Sequence, residues 1–192
     1  MEILYFVEIH HGSILELDCD AVISPANSFG FMDGGIDGAY MDYFGDDIQL
    51  KVRQQIYELH HGELLVGQAT IVETNNKKIP FLIAAPTMRV PMYLGESVNP
   101  YLAARAVLLL IKYGNFCTGD LKGKPITKYV KTVAFPGLGT GVGRIRPDIC
   151  ARQVRKAIDD ILLDKYKMPQ SWAEASENHQ LLYTDNPQRL QY

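Results

Sequence analysis

Residues 79–85, Ile-Pro-Phe-Leu-Ile-Ala-Ala, carry no charged or polar side chain. In an extended conformation successive side chains face opposite sides. Such a run must therefore be buried on both faces, as in a sheet covered by helices on either side. The rest of the chain supplies that cover. Ile48, Val52, Ile56 and Leu59 recur at helical spacing within Asp46–His61, and Gly62 is placed to stop the helix. Asn99 and Pro100 open a second helix that reaches about Tyr113, and Pro147 opens a third in which Cys150, Val154, Ile158 and Ile161 share a face.

Four more segments read as strands: Glu2–Ile9, Ala21–Ile23, Gln68–Glu73 and Tyr129–Phe135, with Asn75-Asn76-Lys77-Lys78 as the turn after the third. Strands and helices alternate without an internal repeat, which predicts one α/β layered domain over residues 1–168. The extension 169–192 is largely polar, with Trp172, Leu181, Leu182 and Tyr183 as apolar points. It is expected to be either a helix packed on the outside or a partly mobile tail.

Composition narrows the function classes. With 192 residues, of which 47% are hydrophobic, the chain can form a substantial core without a metal or disulfides. Its net charge of −3 argues against a nucleic-acid surface held by bulk electrostatics and leaves a local phosphate site open. Cys19, Cys117 and Cys150 are odd in number and lack CxxC spacing, so they read as thiols in a reducing compartment. Neither a basic leader nor a bilayer-spanning apolar stretch is present in the sequence, and the expected location is the cytoplasm. The doublets His10-His11 and His60-His61 point in different directions on any regular element, so no metal site and no cofactor are expected.

Two glycine-rich loops each follow a strand and lead into a helix: Asn27–Gly38 and Pro136–Gly143. In open α/β sheets ligands sit beyond the carboxyl ends of strands, where helix amino ends offer unpaired N–H groups. Glycine lets the backbone approach a ligand closely and turn several N–H groups inward, as a phosphate requires. Either loop alone is also compatible with a tight turn; two facing each other can hold a diphosphate. Neither matches GxxxxGK[ST] or GxGxxG, which disfavours a kinase or a Rossmann dehydrogenase.

Gly12-Ser13-Ile14, Asp20-Ala21-Val22-Ile23-Ser24-Pro25-Ala26-Asn27, Asp33-Gly34-Gly35-Ile36-Asp37-Gly38-Ala39 and Gly139-Thr140-Gly141-Val142-Gly143 occur in that order. This succession resembles the motifs of the macrodomain family, roughly GDI, DAIVNAAN, GGGVDGA and SGVFG. The resemblance covers about residues 3 to 165. It implies a three-layer α/β/α domain with a mixed central sheet that binds ADP-ribose, in many members with hydrolysis of ADP-ribosyl linkages.

Carried over by position, the resemblance places Ser13 and Ile14 near the adenine and Asn27 on the distal ribose. Gly34, Gly35 and Ile36 would line the ribose and diphosphate, and Gly137, Gly139, Thr140, Gly141, Val142 and Gly143 would wrap the phosphates from the other side. Asp37 and Asn27 are the candidate catalytic residues, with Asp37 positioning or activating the attacking water; the alternative for Asp37 is a first-turn cap of the helix that starts near Gly35. A carboxylate near a diphosphate is expected to have raised proton affinity.

Three positions depart from the family pattern. Ser13 stands where an aspartate usually reads the adenine amino group. Ser24 replaces the first asparagine of NAAN. Asp33 replaces the first glycine of the triplet and is expected to face solvent. Of the nearby cations, Arg89 is expected to meet a phosphate or form a surface ion pair, and one of Arg144 and Arg146 to reach the ligand. The implied partner is ADP-ribose or an ADP-ribosylated macromolecule. The sequence-level reading is an ADP-ribosyl hydrolase, with a non-catalytic ADP-ribose reader or a structural domain without ligand as alternatives.

Overall fold

The computed structural model describes residues 6–189. Its elements are β1 (Ala21–Ser24), α1 (Gly35–Phe44), α2 (Asp47–His60), β2 (Thr70–Glu73), β3 (Phe81–Ala84), α3 (Asn99–Tyr113), β4 (Val133–Ala134), α4 (Pro147–Ile161) and α5 (Trp172–Gln180). One-turn helices occupy Ile14–Glu16 and Ile126–Lys128. The strands form one mixed sheet in the order β2-β3-β1-β4, parallel except for β2.

Period-two alternation explains the three layers. Ala21 and Ile23 of β1, Ile71 of β2, and Phe81 and Ile83 of β3 face one side, where they pack with Ala103, Ala104 and Val107 of α3 and Ile149, Cys150 and Ala157 of α4. Val22, Val72, Leu82 and Ala84 face the other, against Tyr40 of α1 and Ile48, Val52 and Ile56 of α2. Because both sets are apolar, both faces need helices, and the result is an α/β/α sandwich. Gln153, fully buried in α4, ties the helices of one layer together: its Oε1 accepts from Tyr101 N–H (3.0 Å) at the start of α3, and its Nε2 donates to Ser97 O (2.9 Å). The orphan amide of a helix start is thereby satisfied inside the protein.

Two strand readings are revised. Residues 2–5 lie outside the described region; Phe6–Ile9 is in no strand, and Phe6, Val7 and Ile9 are exposed, because no neighbouring strand covers them. Of Tyr129–Phe135, only Val133–Ala134 enters the ladder, since the segment before it is drawn into the one-turn helix Ile126–Lys128. In the extension, Ser171 caps α5 through Glu174 N–H (3.1 Å), and Leu182 just beyond the helix is buried.

The register of β1 on β4 depends on Asp20. Its Oδ2 accepts from Lys131 N–H (2.7 Å), Thr132 N–H (2.8 Å) and Thr132 Oγ1 (3.0 Å). Asp20→Ala strands these donors and is expected to lower stability by about 2 kcal/mol; an unchanged urea midpoint would show that water replaces the carboxylate at no cost.

Candidate functional site

Strand β1 is flanked by two parallel neighbours, pairing Ala21 with Phe81 and with Val133. The loops after β1, β3 and β4 therefore leave the sheet at the same rim, which brings the two glycine-rich segments together. The β3–α3 loop joins them, a role that no sequence signal in that loop revealed. It accepts Ser28 N–H at Arg89 O (3.1 Å) and donates Thr87 Oγ1 to Pro25 O (3.0 Å) and Leu94 N–H to Gly143 O (2.9 Å).

The first loop is stapled by Asn27. Its Oδ1 accepts from Phe29 N–H (3.1 Å) and Phe31 N–H (3.3 Å), and its Nδ2 donates to Phe31 O (2.8 Å). An amide has two acceptor sites and two N–H donors, so one donor remains for a ligand. Arg53 stacks on the Phe31 ring 4.0 Å from its centroid and donates Nη1 to Phe29 O (3.1 Å), holding the outside of the loop.

The amino end of α1 is open. Gly34, in extended conformation, is its N-cap and provides no side-chain cap; Gly35 follows at φ +60°. A Cβ at either glycine would have no atom within 4 Å. The first-turn N–H groups have no intrahelical partner, and the helix start carries partial positive charge. Asp33 is exposed, as expected from its charge, and Ile36 is half-buried.

Asp37 lies in the first turn of α1 and is 6% exposed. Burial pushes its carboxyl up to about 6, while the Ser24 hydroxyl partly opposes the rise. Before any ligand is bound, desolvation alone raises the proton affinity of this carboxyl. Neither Asp37 Oδ1 nor Ser24 Oγ completes a hydrogen bond, and both atoms are buried. Each such group costs about 1–3 kcal/mol. No hydrogen bond among the described residues joins Asp37 to the amides of its own helix, although it stands in the first turn, where a carboxylate meets the positive end of the helix dipole. Tyr40, one turn on, is buried, donates to Ile23 O (3.1 Å), and has its phenol pushed far above the usual range by burial.

The glycines of the second loop have different surroundings. A Cβ on Gly137 would meet Thr140 Oγ1 at 2.5 Å; one on Gly143 would meet Gly139 O at 2.5 Å; one on Gly139, at φ +69°, would meet Leu94 Cδ1 at 2.8 Å. These three are required by the loop's own packing. Gly141 has open space around it, and Val142 beside it is exposed. Thr140 Oγ1 donates to Gly137 O (3.1 Å), closing the turn.

On the adenine side implied by the resemblance, Ser13 caps the one-turn helix through Leu15 N–H (3.3 Å), and Ile14 is half-buried. Lys78 Nζ clamps that turn at Leu15 O (3.1 Å) and Glu16 O (2.8 Å). Among the arginines, Arg89 pairs with Glu63 (2.6 Å) and Arg146 with Asp148 (2.6 Å), whereas Arg144 is exposed in a left-handed conformation at φ 54°. Among the described residues no group of three or more His, Cys, Asp or Glu is placed to hold a metal, and no helix is long and apolar enough to cross a membrane.

A three-layer α/β/α sandwich with uncapped helix amino ends and glycine loops on one rim defines a class of ligand-binding module. The Macro domain family matches residues 23–154, and the chain belongs to that family, which is known for ADP-ribose binding. An uncharacterized protein of Aquifex aeolicus is 30% identical over 152 residues, spanning 79% of this chain and 80% of that protein. The DarG macrodomain of Mycobacterium tuberculosis superposes with a TM-score of 0.62 at 17% identity, over 79% of this chain and 88% of that one. The Oceanobacillus iheyensis macrodomain solved with ADP gives 0.62 at 19% identity, over 80% and 75% of the two chains.

Proposed function

We propose that the rim binds an ADP-ribose unit and that the protein hydrolyses ADP-ribosyl linkages. One observation carries the catalytic part: a buried carboxylate, Asp37, poised near pH 6, in the first turn of a helix whose amino end is uncapped and open. The likeness to a macrodomain solved with ADP supports the nucleotide part.

In this reading the N–H groups at Gly35, Ile36 and Gly141 receive the diphosphate, as helix starts and glycine turns do. The remaining Nδ2 donor of Asn27 fixes the distal ribose. Ser13 and Ile14 border the adenine, and Gly137, Gly139, Thr140, Val142 and Gly143 shape the opposite wall. Cleavage at the anomeric carbon builds positive charge on the sugar, which the Asp37 carboxylate stabilises while accepting a proton from the attacking water.

Such a base works only when ionised. Turnover is expected to be flat above pH 7 and to fall as pH drops through about 6. A pH–rate profile for release of ADP-ribose from a modified protein and a modified oligonucleotide checks this. Calorimetry with ADP-ribose tests the slot separately: binding without release on either substrate makes the protein a reader, and no heat at millimolar ligand removes the ligand altogether.

A further inference from the structure

The first glycine loop lies on one face of α2. Gln49, Val52, Arg53 and Ile56 recur at three- and four-residue spacing and so share that face. Gln49 Oε1 accepts from Met32 N–H (2.7 Å), and Gly30, at φ +71°, is pressed so close that a Cβ there would meet Ile56 Cδ1 at 2.9 Å and Arg53 Cγ at 3.2 Å. Arg53 holds both phenylalanines that bracket Gly30: it donates Nη1 to Phe29 O (3.1 Å), and its guanidinium covers the Phe31 ring. The amides of the same two residues, Phe29 and Phe31, are the donors to Asn27 Oδ1, and Phe31 O accepts from Asn27 Nδ2. One cation therefore holds, from outside the loop, the two residues that the Asn27 amide holds from inside.

We infer that Arg53 is a positioning residue for Asn27. The Asn27 amide turns its oxygen to two N–H groups and one N–H to a carbonyl, so a flip would set its NH2 group against the Phe29 and Phe31 amides. Its remaining donor is aimed by the 29–31 backbone, and that backbone is fixed on α2 by one planar side chain that makes a hydrogen bond and a ring stack at once. Lysine can make the bond but lacks the flat face. Arg89, 5.2 Å from the Phe29 ring and paired with Glu63, braces the first of the two phenylalanines from the β3–α3 loop. The use of this arrangement rests on the reading that Asn27 meets the distal ribose, but the link between Arg53 and Asn27 is a property of the unliganded protein.

The test measures side-chain amide hydrogen exchange by NMR in wild type, Arg53→Met and Arg53→Lys, with thermal melts beside it. Methionine keeps much of the stem and loses the hydrogen bond and the cation. The Asn27 Nδ2 hydrogen bonded to Phe31 O should exchange at least about threefold faster in Arg53→Met, and by a smaller factor in Arg53→Lys. The Gln153 Nε2 hydrogen bonded to Ser97 O, buried in α4, should keep its wild-type rate, which a general loss of stability would raise. The melting temperature should stay within about 4 °C of wild type. Affinity for ADP-ribose should fall by about five- to tenfold, and by less than about twofold when Arg53→Met is placed in an Asn27→Ala background. Equal Asn27 exchange in folded wild type and Arg53→Met overturns the assignment, and so do losses of affinity that add. If Arg53→Met does not fold, Phe31→Leu, which removes the ring stack and keeps the backbone bonds, takes its place with the same expectations. Faster Asn27 exchange in a protein that gives no heat with ADP-ribose supports the Arg53–Asn27 link and removes the ADP-ribose reading instead.

Discussion

Asp37→Asn is expected to be more stable than wild type at pH 7.5 and to release ADP-ribose at least about 100-fold more slowly, the typical share of a general base. Burial holds the folded-state carboxyl at about 6, against 3.8 for a free aspartate. Between those values the folded protein keeps a proton that the unfolded chain has released. Stability from this group is therefore greatest below about pH 4, falls as pH rises to about 6, and is level above. The ionised carboxylate then costs on the order of 1–3 kcal/mol. Asparagine carries no charge, so the variant regains that amount at neutral pH and loses the slope between pH 4 and 6. Urea denaturation of both proteins at pH 5 and pH 7.5 reads the effect. Equal slopes, or a less stable variant at pH 7.5, would mean that the ionised carboxylate is satisfied in the folded state.

The second large effect separates two glycines that look alike in sequence. Gly139→Ala places a methyl group 2.8 Å from Leu94 Cδ1 at a residue with φ +69°. Left-handed backbone costs about 1–2 kcal/mol for an L-residue, and overpacking adds about 1–3 kcal/mol. A loss of about 2–4 kcal/mol is expected, together with weaker ADP-ribose binding as the loop shifts off Leu94. Gly141→Ala meets no atom within 4 Å and needs no left-handed conformation. It should leave the melting temperature within about 1–2 °C of wild type while reducing ADP-ribose affinity by about tenfold, because its methyl group enters the slot. If Gly141→Ala binds ADP-ribose as well as wild type, the second loop does not contact the ligand.

Some parts of the fold were legible because local chemistry decides them. The unbroken apolar run 79–85 required cover on both faces, and the structure places Ile83 in one core and Leu82 in the other. Pro147 at the start of α4 sets an element end through its own backbone preference, whereas α2 turns off at His61, left-handed at φ 52°, one residue before the glycine expected to stop it. The strand reading of Phe6–Ile9 did not hold because periodicity describes a segment's suitability for a sheet, whereas strand formation requires a neighbour.

The candidate site was legible only in outline. Glycine spacing located both loops, but the same residue type serves a close backbone contact at Gly143 and open space at Gly141, and only coordinates distinguish them. Arg89 was open between a phosphate and an ion pair, and its ion-pair partner, Glu63, is remote in sequence.

By itself the sequence determined the layered α/β class, the succession of elements from β1 to α4 in outline and the two glycine loops, since propensity, pattern and turn chemistry act over a few residues. Tertiary structure decided that the loops share one rim, that the β3–α3 loop joins them, and that Ser24 and Asp37 are both buried. Those facts depend on which strands become neighbours and on how much water each side chain loses. Both are sums over residues far apart in the chain, and neither is written in any one segment.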